Sequence, residues 1–187
     1  LSDDQMKYDR TNYILKYWRA IEKGKIIVPR KIRIVYERLA RACKDKKGKY
    51  TFDIDRASRP IYFIETFCKQ PTGKLGTPLK LELFQKARLQ ALFGFVDDNN
   101  IRQYNECLII EGRKNGKTTE TAAVELDLLI NDKEGAPQIY NIATMLDQAK
   151  LGFNAAHKML MQDETLKAFI RKRDSDLYCK ENFGFIK

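Results

Sequence analysis

The 187-residue sequence has one histidine, His157, and four cysteines that form no C-x-x-C pair. Zinc ligands are therefore not clustered, and a zinc site is not expected. A single histidine also argues against a nucleophile that is paired with a histidine base. We predict that His157 lies at a surface or boundary position on a helix. The thiols are far apart in the sequence and fit a reducing cytoplasm: Cys43, Cys68, Cys107 and Cys179.

Long apolar segments are also missing. No run approaches the roughly 18 residues that a membrane-spanning helix needs, so we expect no membrane association. Asp3, Asp4 and Lys7 argue against a signal peptide. Because the chain begins with Leu1 rather than methionine, we expect that the natural amino terminus lies upstream. The composition, 43% hydrophobic and 32% charged, is typical of a globular protein with one domain or slightly more.

The net charge of +10 is unevenly distributed along the chain. Residues 1–50 contain 15 Lys and Arg against six Asp and Glu, which gives this segment a net charge of +9. Such a basic segment suits a polyanion, because each cation placed on a phosphate releases a counterion. The alternative is a solvated surface that promotes solubility.

Apolar residues at helical spacing predict a mainly helical, basic region over residues 1–75. Its predicted helices cover residues 5–23, the segment after Pro29 up to about residue 47, and about residues 55–68. The second of these helices has an apolar face formed by Ile32, Val35, Tyr36, Leu39 and Ala42. A loop with two prolines and two glycines, residues 71–78, marks the boundary to a second region, residues 76–187.

The second region is predicted to alternate helices and strands. A helix ends near Gly94, and two others cover about residues 117–131 and 147–161. Residues 106–111 and 138–143 are predicted strands, which flank the middle helix as a parallel βαβ unit. The predicted fold class is therefore α/β, with an incomplete P-loop core that follows the basic helical region.

The loop before the helix at residue 117 reads GRKNGKTT, residues 112–119. A Walker A phosphate-binding loop has the pattern G-x-x-x-x-G-K-[ST], and here Glu111 occupies the position of the first glycine. In such a loop Gly116 permits a close backbone approach. Lys117 would contact the β- and γ-phosphates of a nucleotide, and the Thr118 hydroxyl would bind Mg²⁺.

Other residues complete this predicted site. Thr119 could reach an α-phosphate oxygen, while Gly112, Arg113, Lys114 and Asn115 form the rest of the loop. Its two adjacent cations suit a γ-phosphate, since an arginine in cis can neutralise charge that develops during phosphoryl transfer. The alternative is a structural turn that happens to be rich in glycine and lysine. The predicted strand, helix and second strand favour a nucleotide site.

Three segments resemble the large terminase subunit of tailed bacteriophages, the ATP-driven motor and nuclease that packages viral DNA. They are the loop GRKNGKTT, the segment LELFQKARLQALFGF, and the segment IATMLDQAK at residues 142–150. Terminases are similar in having a deviant Walker A motif with an arginine just inside the loop. The resemblance extends from about residue 61 to the end of the chain.

The resemblance implies roles for particular residues. Gln85 would contact adenine, Arg113 would sense the γ-phosphate, and Lys117 would act in catalysis. Gln148 would lie near the nucleotide, although an exposed helix position is the alternative for both glutamines. The implied cofactors are ATP and Mg²⁺. The implied partners are double-stranded DNA, the small terminase subunit and the portal protein, in an oligomeric ring in the cytoplasm of an infected bacterium.

The acidic strand end that such an ATPase needs for Mg²⁺ and for the attacking water is not found in the sequence. Asp97 and Asp98 precede the loop and follow a predicted helix, and Asp174 and Asp176 lie in a charged run without an apolar strand. We therefore expect a fragment that binds nucleotide weakly and neither hydrolyses ATP at a useful rate nor cuts DNA. The alternatives are a helical nucleic-acid-binding module whose P-loop-like turn holds backbone phosphates, and a P-loop kinase or another P-loop NTPase.

Overall fold

The structure, a computed structural model, describes residues 8–187, which form seven helices and six short strands. The helices are α1 (Tyr13–Glu22), α2 (Arg30–Ala42), α3 (Ile54–Phe67), α4 (Leu83–Gly94), α5 (Lys117–Asn131), α6 (Leu146–Met161) and α7 (Glu164–Phe169). The strands are β1 (Thr51–Phe52), β2 (Phe95–Val96), β3 (Gln138–Ile139), β4 (Ile170–Lys172), β5 (Leu177–Cys179) and β6 (Phe185–Ile186). The protein is therefore of mixed α and β structure, as predicted.

The described residues form two compact units. Unit 1 contains residues 8–62 and 81–109, and unit 2 contains residues 63–80 and 110–187. This division groups residues by their contacts in space, whereas the boundary predicted from the sequence, near residue 75, rests on the composition of the loop at residues 71–78. The division into regions 1–75 and 76–187 stays a prediction.

Unit 1 is built on the packing of α1 against α2 and α4. Helix α1 is capped by Asn12, whose side chain accepts a 2.9 Å hydrogen bond from the Leu15 amide. Gln90 of α4 is completely buried, and its side-chain oxygen accepts a 2.6 Å hydrogen bond from the Tyr13 amide. Its side-chain nitrogen donates to the Thr11 oxygen at 2.9 Å. A side chain of α4 thus satisfies backbone groups at the start of α1, which lack partners within their own helix.

Helix α2 buries only part of its predicted apolar face. Tyr36 and Leu39 are buried, but Ile32 and Val35 are 38% and 47% exposed. The buried residues of α2 all lie from position 36 onward, and the ring of Tyr36 contacts that of Tyr17 on α1. The helix therefore packs through its carboxy-terminal half, which helical periodicity alone does not show.

Unit 2 combines helices with a mixed four-stranded sheet in the order β3-β6-β5-β4. Strands β3 and β6 are parallel, whereas β6 pairs with β5, and β5 with β4, in antiparallel orientation. Helix α5 packs against α6 and contacts β3 and β6. Helical spacing predicts a buried face of α5 formed by Ala122, Leu126, Leu129 and Ile130. The first three are fully buried and Ile130 is half-buried, which confirms most of this face.

The predicted strand over residues 106–111 is wrong. This segment has no strand pairing in the described part of the chain, and Leu108 and Ile110 are 86% and 84% exposed. A strand exists only where a second strand pairs with it, and β3 pairs with β6 instead. The second predicted strand, residues 138–143, is confirmed only at Gln138–Ile139. The predicted βαβ unit is thus reduced to α5 followed by β3.

The other predicted helices are confirmed with shifts at their ends. The predicted helix over residues 5–23 begins at Tyr13, and residues 5–7 lie outside the described residues. Gly24, at φ +68°, follows the end of α1, as predicted. His157 is half-buried on α6, also as predicted. Among residues 8–187, no helix combines the length and the apolar character needed to cross a membrane.

Candidate functional site

The candidate site is the loop at residues 112–119 and the start of α5 in unit 2. Gly116 precedes the helix with φ 78° and ψ 10°, a left-handed conformation that favours glycine. Its backbone oxygen accepts a 2.8 Å hydrogen bond from the Glu120 amide, which closes the first helical turn. Gly116 has no side chain that could cap the helix, and the amides of residues 117–119 have no acceptor within the helix, because the first intrahelical hydrogen bond is donated by Glu120. These amides and the positive end of the helix dipole form a site for an anion.

Lys117 is the first residue of α5 and is half-buried. Its ammonium group donates hydrogen bonds to the backbone oxygens of Glu111 and Gly112, the second at 3.3 Å. The side chain therefore folds back over the loop that precedes its own helix. Its positive charge is held at the carbonyl oxygens of the loop.

The remaining loop residues are Gly112, Arg113, Lys114 and Asn115. Asn115 donates from its side chain to the Gly112 oxygen at 3.3 Å, which draws the loop together. Lys114 has a positive φ of 67°, an uncommon conformation for a residue other than glycine. Arg113 and Lys114 are both exposed, so each cation is accessible to a ligand. A Cβ atom at Gly112 would contact only the side-chain nitrogen of Asn115, at 3.5 Å, which leaves room around the backbone there.

Two threonines follow Lys117 in the first turn of α5. Thr118 is exposed, and Thr119 is half-buried. The exposed hydroxyl of Thr118 could donate to an anion or bind a cation at the helix start. The structure thus brings together every predicted site residue from Gly112 to Thr119.

Gln85 lies in unit 1, near the start of α4. Its side-chain oxygen accepts a 2.8 Å hydrogen bond from the Glu82 amide, and the Glu82 side chain in turn accepts from the Gln85 amide. This reciprocal arrangement is a capping box, which stabilises the start of α4. Gln85 therefore has a structural role, and its contact with adenine stays a prediction. Gln148 is an exposed residue in the first turn of α6, and its proximity to a nucleotide also stays a prediction.

The main-chain acceptors of the Lys117 ammonium were not identified from the sequence. The oxygens of Glu111 and Gly112 accept hydrogen bonds whatever side chains these residues carry. No residue type in the sequence therefore indicates them. The only signal is their spacing of five and six residues before a lysine that opens a helix.

Glu125 is a second feature that the sequence analysis missed. It lies on α5 and is buried, and its carboxylate accepts a 3.1 Å hydrogen bond from the Asn141 side chain. Burial raises the pKa of Glu125, while the hydrogen bond from Asn141 lowers it. Its position three residues after the buried Ala122 places a carboxylate on the apolar face of α5. That position was the signal in the sequence.

Comparison with known proteins gives consistent matches. The sequence profile of the family described as "Terminase large subunit, ATPase domain" matches residues 83–181. The curated protein "Terminase, large subunit" of Enterobacteria phage HK97 is 34% identical over 117 residues, which represent 62% of this chain and 22% of that protein.

A solved structure is similar as well. The crystal structure of the HK97 bacteriophage large terminase matches with a TM-score of 0.60 and 29% sequence identity. The match covers 71% of this chain and 26% of that chain. The chain therefore spans about a quarter or less of the length of the proteins that it matches.

Proposed function

The chain belongs to the family of terminase large subunit ATPase domains, and on this premise we propose that it is the amino-terminal part of a phage terminase large subunit. In this proposal the complete subunit is the ATP-driven motor that cleaves double-stranded viral DNA and packages it into the procapsid. Its nuclease domain lies elsewhere in the longer protein. It works with the small terminase subunit and the portal protein, as an oligomeric ring in the cytoplasm of the infected bacterium.

The observation that carries the proposal is the start of α5. The uncapped amides of residues 117–119, the Lys117 ammonium and the left-handed Gly116 are the donor set that a triphosphate needs. Lys117 would exchange its contacts with the Glu111 and Gly112 oxygens for the β- and γ-phosphate oxygens of ATP. The loop is thus a deviant Walker A motif, in which Glu111 replaces the first glycine.

Other residues of the loop and of the first helical turn suit Mg²⁺ and a phosphoryl group in transfer. Thr118 presents an exposed hydroxyl in the first helical turn, where it would bind the Mg²⁺ that neutralises phosphate charge. Thr119 would donate to the α-phosphate. Arg113 is an exposed cation of the loop and would neutralise the charge that develops on the γ-phosphate. Lys114 and Asn115 would complete the phosphate site.

Gln85 is the proposed contact to adenine. A glutamine side-chain amide can both donate to and accept from the edge of a base, which suits recognition of adenine.

The test is amide hydrogen exchange of the 187-residue chain with and without ATP and Mg²⁺. Since nucleotide binding is expected to be weak, ATP is added at millimolar concentration. We expect slower exchange across residues 112–119, and less protection when Mg²⁺ is removed with a chelator. Unchanged exchange in this segment with ATP present would contradict the proposal. Protection of the same amides by duplex DNA alone, and not by ATP, would instead support a nucleic-acid-binding module whose turn holds backbone phosphates.

A further inference from the structure

The net positive charge of the chain comes from one segment of unit 1. Residues 8–50 contain 14 Lys and Arg against four Asp and Glu, a net charge of +10. Residues 51–187 contain 20 against 19 and are close to neutral. The segment that carries the excess comprises α1, α2 and their loops. The positive potential is therefore concentrated rather than spread over the chain.

Within this segment, α2 exposes a basic face. Its buried residues, Tyr36, Leu39 and Ala40, lie on one side of the helix. The opposite side is exposed and mostly cationic, and we call it the outer face of α2: Arg30, Lys31, Ile34, Arg38 and Arg41. From Arg30 to Arg41 this face extends about 16 Å along the helix axis. Duplex DNA carries one phosphate per about 1.7 Å of its axis, so a face of this length can meet several phosphates.

The cations of the outer face are largely free of internal partners. Within residues 8–187, Arg30, Lys31 and Arg38 form no ion pair with a carboxylate, and only Arg41 pairs, with Glu37. The first turn of α2 contains no acidic residue. The helix dipole disfavours Arg30 and Lys31, which lie at this end of the helix. These two cations therefore cost helix stability, which is expected when they serve an external anion.

The loop after α2 continues the basic sequence. Four exposed lysines follow within six residues: Lys44, Lys46, Lys47 and Lys49. Asp45 is the acidic residue among them, and its carboxylate accepts hydrogen bonds from the Lys47 and Gly48 amides at 2.9 and 3.2 Å. It therefore holds the turn while the lysines remain exposed.

We propose that the outer face of α2, together with this lysine loop, binds the phosphate backbone of double-stranded DNA without reading its sequence. The inference rests on the proposed function, in which duplex DNA is the substrate. A protein partner fits less well, because the surface includes the four lysines of the loop, a residue type depleted from protein interfaces, and Ile34 is the one apolar residue of the outer face. Phosphate contacts carry no sequence information, which suits a motor that acts on DNA of any sequence.

The test is the binding of a fluorescein-labelled duplex of about 30 base pairs to the 187-residue chain, measured by fluorescence anisotropy over a series of salt concentrations. The variant Arg30→Gln/Lys31→Gln/Arg38→Gln removes three cations from the outer face. The matched control, Lys74→Gln/Lys150→Gln/Lys180→Gln, removes three exposed cations from unit 2. Circular dichroism verifies that both variants keep their helix content. The further variant Arg30→Lys/Arg38→Lys keeps the charge if the glutamine variant fails to fold.

We expect the outer-face variant to bind the duplex on the order of 100-fold more weakly at 0.1 M salt. The slope of its log affinity against log salt concentration should be smaller by the amount that corresponds to about three phosphate contacts. The control and the lysine variant should stay within about threefold of the unmodified chain. Equal losses of affinity in the outer-face variant and the control would overturn the inference. It would also be overturned if the unmodified chain bound polyglutamate, a stand-in for an acidic protein partner, but did not bind the duplex. ATP protection of residues 112–119 is measured separately. A chain that binds duplex DNA through the outer face but shows no ATP protection would contradict the nucleotide site without contradicting the DNA-binding inference.

Discussion

The ammonium group of Lys117 donates a 3.3 Å hydrogen bond to the backbone oxygen of Gly112, five residues earlier in the chain. It also donates to the oxygen of Glu111, so one side chain connects the start of α5 to the loop before it. A phosphate that binds Lys117 must compete with these two carbonyl oxygens. The same contacts hold the loop against the start of α5.

Lys117→Ala should therefore loosen the loop even when no nucleotide is added. We expect faster amide hydrogen exchange over residues 111–116 because the loop loses two hydrogen bonds. Lys114→Ala is the matched control, since the Lys114 side chain is exposed and has no hydrogen bond within the described residues. Equal exchange in the two variants would show that Lys117 does not hold the loop.

Arg113→Ala should slow ATP turnover in the complete subunit without weakening nucleotide binding. An arginine that neutralises charge in the transition state contributes roughly 1,000-fold or more to turnover. We expect a loss of this size, with an ATP dissociation constant within about threefold of the unmodified subunit. Single-turnover kinetics and equilibrium binding separate the two effects. An equal loss of affinity would assign Arg113 to binding of the ground state.

Gln90→Leu should destabilise unit 1. The substitution leaves the Tyr13 amide and the Thr11 oxygen without the buried partners that they have in the native protein. Burying unsatisfied backbone groups costs about 1–3 kcal/mol, which urea denaturation measures directly. Gln148→Leu makes the same change at an exposed helix position and should stay within about 0.5 kcal/mol. A neutral Gln90→Leu variant would mean that water or another group replaces the glutamine.

Glu125→Gln should stabilise the protein at neutral pH. Burial raises the pKa of Glu125 above its ordinary value of 4.5, so the folded state holds this proton more tightly than the unfolded state. The stability that the protonated group contributes is complete below pH 4.5 and is lost as the pH rises through the folded pKa. The amide of glutamine cannot ionise and can still accept from Asn141.

We therefore expect Glu125→Gln to have a higher melting temperature than the unmodified protein at pH 7. Between pH 7 and pH 4.5, its melting temperature should also change less than that of the unmodified protein. For a chain of this size, 1 kcal/mol corresponds to about 2–4 °C. The exposed Glu134→Gln is the control and should follow the unmodified protein. A lower melting temperature for Glu125→Gln at pH 7 would show that the ionised carboxylate stabilises the fold through Asn141.

The features that the sequence predicts correctly are local ones. Helix α5 follows from Gly116 and from apolar residues at one helical face, all within about fifteen positions. The loop residues from Gly112 to Thr119 come together for the same reason, since they are contiguous in the chain. Local sequence is sufficient where the partners of a residue are its neighbours.

The features that it misses depend on partners far away in the sequence. Residues 106–111 have the apolar character of a strand, but a strand also needs a pairing partner that no local pattern specifies. Gln90 caps a helix that begins 77 residues earlier, which requires α4 to be packed on α1 first. Which half of α2 is exposed likewise depends on where another helix packs against it.

The most direct test of the central claim is the ATPase activity of the complete subunit that contains this chain, measured for Lys117→Ala beside Lys114→Ala. If the start of α5 is the nucleotide site, Lys117→Ala abolishes hydrolysis, because the main counter-charge of the β- and γ-phosphates is lost. Lys114→Ala should reduce it far less. Hydrolysis by Lys117→Ala within a few-fold of the unmodified subunit would contradict the assignment of this loop as the site of ATP.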